Sequence, residues 1–486
     1  MKEKNRFLYN ATAHIDEKLI DGLIGEDQTP QSAAPEKGRR TSIKKTLAAA
    51  LAAALAVSLF VGGIFVWQNR KPDPNSGRGK TVEPFKGTPG NYAGAKFMSL
   101  ADASVTRDSQ QYGSSYLSYT PDRIDHINSI GAFFDRITES LLSGKENAVV
   151  SPVNIYMALS LLAESTGGTS RRQILDVIGV PGMEELREQS KWIWIQNSYD
   201  NEYGRSLLAN SVWLSGDLSV KEDCVKLLND DHFASVFAGD FSDDDYKNAL
   251  KQWLSDQTGG LLDNCVNALE IPDSTAAALA STLYYKTKWN DKYKKTENGT
   301  FKGAGGDQSC VFNVKTVKGK AIYETDRFTA YWEMLSDKNM MWFFLPNEGS
   351  SVEDVLKADL ASFASHPKDA RVHDCNVTVR MPDYDVDFNR NILEDLKKLG
   401  VTDCADAAKA DFSPLTDARL CLGNFIHAAR FKADKEGVEG AAFSLMLLDG
   451  AGPIERPPYD FTLDRPFVFM VLHGGVPIFV GTVTEL

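Results

Sequence analysis

The most distinctive hydrophobic feature of the chain is a long apolar run near its N-terminus. Residues 46–67 read TLAAALAAALAVSLFVGGIFVW and contain no charged side chain. At about 1.5 Å per residue, a helix of this length is about 33 Å long, which is enough to cross the hydrocarbon core of a bilayer. A long polar segment precedes the run, and the run exceeds the apolar region of an ordinary signal peptide. The pattern therefore predicts a single transmembrane helix at residues 46–67.

The charges beside this run predict its orientation. The basic residues that precede it are Lys37, Arg39, Arg40, Lys44 and Lys45. A weaker basic cluster follows at residues 69–71. Because the more basic flank stays in the cytoplasm, we expect a cytoplasmic tail at residues 1–45 and an extracellular remainder. The sequence thus predicts a single-pass protein of the cell membrane, with the lipid bilayer as the partner of residues 46–67.

The pattern changes twice beyond this run. Residues 68–119 are rich in Gly, Pro, Ser and Asn, which is typical of an extracellular linker. A globular pattern follows at residues 120–486, where apolar residues first recur on one helical face at Ile127, Ile130, Phe134, Ile137 and Leu141. Strand-like runs come later, at Met340–Leu345, Asn376–Met381, Pro466–Leu472 and Pro477–Val483. A hairpin signal separates the last two runs. Early helices and late strands predict an α+β domain.

Composition and charge exclude several classes of function. The net charge of −13 argues against a nucleic-acid partner, since a phosphate-binding surface needs a basic excess. The six cysteines are Cys224, Cys265, Cys310, Cys375, Cys404 and Cys421. None of them form a CxxC pair, so we expect no metal site, and their disulfide state stays open. GxSxG, HExxH and phosphate-loop motifs are absent. The seven histidines leave a Ser/His/Asp triad open, but nothing in the sequence points to one, so we expect neither an enzyme nor a cofactor.

Several stretches, taken in order along the chain, resemble signatures of the serpin family. They are NAVVSPVNIYMALSLLAESTGGT at Asn147–Thr169, NSVWL at Asn210–Leu214, the set Trp253, Thr258 and Gly260, LASTLYYKTKW at Leu279–Trp289, DFS at Asp411–Ser413, and DRPFVFMVLHGGVPIFVGTV at Asp464–Val483. The resemblance implies the serpin fold, with three sheets, about nine helices and an exposed reactive loop. It also implies inhibition of a serine protease, which is trapped as an acyl-enzyme when the cleaved loop enters the central sheet.

The segment that resembles an inhibitory reactive-loop hinge reads KEGVEGAA at Lys435–Ala442. Its candidate residues are Glu436, Gly437, Val438, Glu439, Gly440, Ala441 and Ala442. A hinge that enters a closed sheet needs small side chains at alternate positions, and Val438, Gly440 and Ala442 meet that need. No proline blocks a central strand between residues 435 and 452. Gly440 stands where the family usually has alanine, which could weaken insertion.

The family's usual spacing from Gly437 places the scissile bond at Ala451–Gly452. Ala451 suits a protease with a small primary pocket, so we expect an elastase-like or subtilisin-like partner. The loop is longer than usual, so counting back from Pro457-Pro458 moves the bond towards Ile454, and any position from Leu448 to Arg456 stays open. Arg456 would suit a trypsin-like enzyme, but it directly precedes two prolines.

The resemblance also implies a group of residues, the shutter, that controls opening of the central sheet. Its members here are Ser151, Asn154, Ser281 and His427. The family usually has Ser where this chain has Asn154 and Asn where it has Ser281. Such an exchange would preserve a hydrogen bond by swapping its two partners. The alternative function is a non-inhibitory serpin-fold binding module on the cell surface.

Overall fold

The structure is a computed structural model that describes residues 54–66, 88–92, 95–103, 121–435 and 456–486. These residues belong to one compact unit, Ala52–Leu486. The side chains are described from residue 97 onward within these ranges, apart from those of residues 121–129. The predicted cytoplasmic tail lies outside the described residues.

Ten α-helices lie wholly within the described residues. They are α1 Pro121–Leu141, α2 Pro152–Ser165, α3 Gly168–Ile178, α4 Met183–Gln196, α5 Glu222–Asp230, α6 Asp244–Gln257, α7 Asp263–Asn267, α8 Val352–Leu356, α9 Leu360–Ser365 and α10 Leu393–Leu399. A 3-10 turn follows at Asp403–Ala405. The helical face predicted in α1 is confirmed at Ile130, Phe134, Ile137 and Leu141, which are all buried, while the side chain of Ile127 lies outside the described ones.

The strands of the first sheet are β1 Ala54–Val66, β2 Thr88–Tyr92, β3 Ala95–Ala101, β5 Ser198–Asn201, β6 Gly204–Ser215, β7 Ala234–Gly239, β8 Thr275–Thr287, β14 Tyr384–Asn391, β15 Leu420–Leu422 and β16 Ile426–Ala433. Their order is β14-β16-β1-β8-β6-β7-β3-β2, with β15 paired to β1 and β5 paired to β6. The segment predicted as a linker therefore supplies two strands at one end of the sheet, the edge strand β2 and its neighbour β3.

The structure differs from the predicted transmembrane helix. Residues Ala54–Val66 form the 13-residue strand β1 in the middle of the first sheet. No helix among the described residues is both long enough and apolar enough to cross a membrane. The physical reason is that a central strand covered on both faces also needs a continuous uncharged run, so hydrophobicity alone does not separate the two structures. The valines and phenylalanines of ALAVSLFVGGIFV are residues that favour strands.

The second sheet contains β4 Ala148–Val150, β9 Lys295–Gly303, β10 Gly306–Glu324, β11 Phe328–Met334, β12 Met340–Pro346, β13 Arg371–Pro382, β17 Pro458–Thr462, β18 Phe467–His473 and β19 Val476–Val483. Its order is β17-β13-β10-β11-β12-β18-β19-β4, with β9 paired to β10. The described residues thus form two sheets and not the three implied by the resemblance. The cause is β10, whose 19 residues pair with β9 and β13 and, at their end, with β11.

The four strand-like runs of the sequence are confirmed as β12, β13, β18 and β19. The predicted hairpin joins β18 to β19, where His473 pairs with Val476 around a two-residue turn. Both turn residues are glycines with positive φ, 56° at Gly474 and 88° at Gly475. A turn of this kind requires the left-handed backbone that glycine adopts without strain.

Helix α2 occupies the core between the two sheets. All 14 of its residues are buried, and it packs against β8 of the first sheet and β19 of the second. Such complete burial is expected of a helix that is apolar on every side. Its hydroxyls are satisfied locally, since Ser160 and Ser165 donate to the carbonyls of Tyr156 and Leu161. The packing of α2 against β8 places the start of the helix beneath the first sheet.

Candidate functional site

The first turn of α2 supplies the polar residues beneath the central sheet. Ser151 is the N-cap of α2, and its hydroxyl accepts a hydrogen bond from the backbone N–H of Asn154 at 3.3 Å. The backbone N–H of Ser151 donates to Nε2 of His427 in β16 at 3.1 Å. Because Nε2 accepts this bond, it carries no proton. One helix end is therefore tied to β16 through an imidazole.

The same turn is tied to β8 through an amide. Nδ2 of Asn154 donates to the hydroxyl of Ser281 in β8 at 3.0 Å. Ser151, Asn154, Ser281 and His427 all have an exposed fraction of 0%. The structure thus brings the four residues of the predicted shutter together, and the hydrogen bond between the exchanged pair is present. The helix end is bonded to two different strands of the sheet, β8 and β16.

Strand β1 lies between those two strands at the level of the shutter. Phe60 is the register partner of Ser281 on one side and of His427 on the other. β8 and β16 are both antiparallel to β1 and hence parallel to one another. Displacement of β1 would therefore change the pairing of β8 and β16, the two strands that carry the shutter residues Ser281 and His427.

The C-terminal end of β16 is held by a buried tryptophan. The indole N–H of Trp289, two residues beyond β8, donates to the carbonyl of Asp434 at 2.7 Å. Asp434 directly follows β16 and is only 3% exposed. This contact fixes the point at which the chain leaves the sheet and enters the loop. Sequence reasoning quoted Trp289 within a family signature but gave it no role.

A buried ion pair supports the tryptophan. Lys315 forms a salt bridge with Glu333, and its ammonium lies 5.5 Å from the centre of the Trp289 ring. The hydroxyl of Tyr293 donates to Glu333 at 2.8 Å. Burial raises the pKa of Tyr293 well above its usual value, and the nearby Glu333 carboxylate adds to the rise. The phenol therefore stays protonated and remains a donor at physiological pH.

The far end of the loop is anchored on the second sheet. The guanidinium Nε of Arg456 donates to both carboxylate oxygens of Asp374, at 2.7 and 2.8 Å. The carbonyl of Arg456 accepts from Nδ2 of Asn376 at 3.2 Å, and the backbone N–H of Asn376 donates to the carbonyl of Pro457 at 2.9 Å. β17 then continues parallel to β13. Both ends of the loop, at residues 434 and 456, are thus fixed.

The loop itself, residues 436–455, lies outside the described residues. This range includes every candidate hinge residue, from Glu436 to Ala442, and the candidate scissile pair Ala451–Gly452. Their assignment continues to rest on the sequence.

The question of disulfides, which the sequence left open, has an answer in the structure. All six cysteines are free thiols. Burial raises the pKa of both Cys224 and Cys404 to about 12, so these two thiols are unreactive at physiological pH. Within the described residues, no group of His, Cys, Asp and Glu is arranged to hold a metal ion.

Comparisons with known proteins agree with this arrangement. Serpin-ZX of Arabidopsis thaliana is 26% identical over 368 residues, which cover 71% of this chain and 93% of that protein. Probable non-inhibitory serpin-Z9 of Oryza sativa subsp. japonica is 23% identical over 367 residues, covering 71% of this chain and 82% of that protein. The native-state crystal structure of the thermophilic serpin tengpin shares the fold, with a TM-score of 0.62 at 22% identity over 76% of this chain and 95% of tengpin. The family model described as "Serpin (serine protease inhibitor)" matches residues 131–486, which is well over half of the sequence, and the chain therefore belongs to the serpin family.

Proposed function

We propose that this protein is a suicide-type inhibitor of an extracellular serine protease. Serpins are in general protease inhibitors and not enzymes, although some members are non-inhibitory. The observation that carries the proposal is the position of the loop. It leaves β16, a strand of the central sheet, at the buried Asp434, and the residues that follow include Gly437, Gly440, Ala441 and Ala442, with no proline before Gly452. A loop of this composition can re-enter the sheet beside the strand from which it came.

The chemistry of trapping belongs to the protease, and the chain supplies the loop and the sheet. The protease serine attacks the carbonyl carbon of the scissile residue, and its proton passes to the leaving amine as the peptide bond breaks. An ester then joins the protease to the new C-terminus of the loop. Insertion of the loop as a central strand carries the protease along the sheet and distorts its active site before water reaches the ester, as is established for serpins.

We place the scissile bond at Ala451–Gly452, which suits an elastase-like or subtilisin-like protease. The anchoring of Arg456 supports this choice over a cut after Arg456. A scissile residue must offer its side chain to the primary pocket and its carbonyl to the oxyanion hole. The side chain of Arg456 is held by Asp374 and its carbonyl by Asn376.

The decisive experiment is a denaturing gel of the purified full chain after incubation with elastase or subtilisin. An inhibitor gives a covalent complex that survives boiling, and mass spectrometry of the released fragment should show a new N-terminus at Gly452. A fragment that begins at Asp449 would move the cut to Leu448. Cleavage by both elastase and subtilisin with no covalent complex would contradict the inhibitory function.

We also propose that the protein resides at the cell membrane, on the basis of the sequence alone. The uncharged residues 46–67 and the basic residues before them support a single-pass anchor with a cytoplasmic N-terminus and an extracellular serpin domain. The same residues cannot span a bilayer and form β1 at one time. Protease added to intact cells should remove the serpin domain and spare the tail. Digestion of the tail with survival of the domain would show the opposite orientation.

A second candidate function is a non-inhibitory serpin-fold module that binds a partner. The observation that favours it is β1, which already fills the centre of the sheet and leaves no space there for the loop. The name of the rice relative shows that such members occur in the family. A module of this kind would be cut in the loop as a simple substrate, so the same gel distinguishes the two functions.

A further inference from the structure

We propose that strand β1 is an internal competitor of the reactive loop, which must be displaced from the central sheet before a protease can be trapped. This inference rests on the proposed inhibitory function. It concerns a segment upstream of the family match, which begins at residue 131. The loop must take one position in the sheet, and β1 now occupies it.

The position is fixed by the connectivity of β16. The loop begins directly after β16, so a loop that turns back must pair with one edge of that strand. One edge is bonded to β14 from Asn391 to Tyr384. The other edge is bonded to β1 from Leu55 to Val61. Since β14 continues into the rest of the fold on both sides, β1 is the neighbour whose place the loop must take.

The direction of β1 equals that of an inserted loop. A loop turning back after Ala433 would run antiparallel to β16, and β1 is antiparallel to β16. β1 also pairs antiparallel with β8, from Ala54 opposite Thr287 to Phe65 opposite Thr275. It therefore satisfies the backbone groups of both flanking strands along nearly their full length. While β1 is present, neither strand has a free edge for the loop.

The sequence of β1 resembles that of the hinge, because it has small side chains at several alternate positions and no proline. Alternate positions 54, 56, 58, 60 and 62 are Ala, Ala, Ser, Phe and Gly, so four of these five are small, and the strand contains no proline or charge. Small residues at most of these alternate positions fit a strand that enters a closed sheet. Thus β1 and the hinge are alternative occupants of one place by position, direction and composition.

A native cysteine provides a direct test in the full chain. Phe65 of β1 is the register partner of Cys421 in β15, and Cys421 is a free thiol. Directly opposed residues of antiparallel strands lie about 4.5–5.5 Å apart at Cα, which is within the range of a disulfide. Oxidised Phe65→Cys should therefore form a disulfide with Cys421. Ile64→Cys is the matched control, since its partner is Leu422, and the double variant Phe65→Cys/Cys421→Ser removes the acceptor thiol.

The first readout is the disulfide itself, identified by mass spectrometry of non-reduced peptides. The second is trapping of elastase or subtilisin by one protein before and after reduction. We expect the oxidised Phe65→Cys protein to trap at least tenfold less protease than after reduction and to be cut as a substrate. Neither control should respond to oxidation. Absence of the 65–421 disulfide would overturn the proposal, and so would trapping of protease that is equal with and without this disulfide.

A labelled peptide with the sequence of residues 437–450 separates this inference from the inhibitory function. The peptide should enter the sheet of the reduced Phe65→Cys protein slowly and should bind the oxidised protein at least tenfold less. If the reduced protein and the wild type both fail to trap any protease but the peptide still discriminates, the inhibitory function fails and the competition stands. If the peptide binds both forms equally, the competition fails.

Discussion

At the scale of residues, the contact between Asn154 and Ser281 shows how an exchange of two side chains preserves one hydrogen bond. The amide of Asn154 reaches from α2 to the hydroxyl of Ser281 in β8 in a fully buried setting. A buried polar group that loses its partner typically costs about 1–3 kcal/mol. The two positions should therefore be coupled, although neither residue matches the family's usual choice.

Reversing the exchange tests that coupling. We expect Asn154→Ser to destabilise the fold because the shorter side chain cannot reach Ser281, and Ser281→Asn to destabilise it because the larger amide is overpacked beside Asn154. The double variant should recover about 1–2 kcal/mol of the summed loss, since amide and hydroxyl again meet. Denaturant unfolding of the four proteins measures the coupling. Strictly additive losses would show that the two side chains do not interact.

A second contact at this scale links stability to pH. Glu164, at the end of α2, accepts two hydrogen bonds from Arg187 at 2.7 and 2.8 Å and contacts Nε2 of His232 at 3.1 Å. Burial alone would raise the pKa of Glu164, but the hydrogen bonds and charges of these two partners outweigh it and lower the pKa to about 2. The ionised carboxylate is thus bound more tightly in the folded protein than in the unfolded chain.

We expect Glu164→Gln to lower the free energy of unfolding by about 3 kcal/mol at neutral pH, because it leaves Arg187 and His232 without their carboxylate. A lowered pKa stabilises the fold above the unfolded value of 4.5, and that stabilisation is lost as pH falls towards about 2. The difference between wild type and variant should therefore shrink between pH 5 and pH 2. Glu353→Gln, which affects only the exposed pair with Lys357, serves as the control and should change little. A difference independent of pH would contradict this assignment.

At the scale of elements, the sequence predicted the helix faces, strands and turns that follow from local periodicity. It failed where a membrane and a protein core require the same kind of apolar sequence. The buried face of α1, the strands β12, β13, β18 and β19, and the Gly474–Gly475 turn follow from periodicity and turn chemistry. The strand at residues 54–66 was not predicted, because an uncharged apolar run suits both a bilayer and a covered central strand. The role of Trp289 required knowledge of its contact with Asp434, which is distant in sequence. The hinge is still known from its sequence alone.

The hinge offers a test with neighbouring positions as matched controls. Ala442→Glu places a charge on the alternate set predicted to become buried, where an unpaired charge costs several kcal/mol. Ala441→Glu adds the same charge on the opposite set. We expect Ala442→Glu to be cut as a substrate with little trapping, whereas Ala441→Glu should trap protease almost as well as the wild type. The fraction of protease in the covalent complex is the measurement. Equal behaviour of the two variants would refute the strand register proposed for the loop.

At the scale of the whole molecule, β1 determines how much stability loop cleavage can add. Under the proposed inhibitory function, a cleaved loop would stabilise the fold by entering the sheet as a new strand, and in this structure that place is already filled. The gain therefore depends on whether β1 can be displaced.

Melting curves of the Phe65→Cys protein measure this gain. After loop cleavage by a non-target protease, the reduced protein should melt several degrees higher, since about 1 kcal/mol shifts the melting temperature of a large domain by a few degrees. The oxidised protein should show no such rise. If cleavage leaves the midpoint unchanged in both forms, the loop does not enter the sheet even when β1 is free to leave.

The identity of the residues in β1 has a consequence for where the proposed inhibitor would act. They are also the residues proposed to anchor the chain in the bilayer, and one molecule cannot use them for both purposes. Anchoring would keep the segment out of the sheet and leave the central position open to the reactive loop. A molecule that lost its anchorage could fold the same segment into its own sheet and would then no longer inhibit. Inhibition would then be confined to the immediate surroundings of the cell that made the protein, without any further regulator.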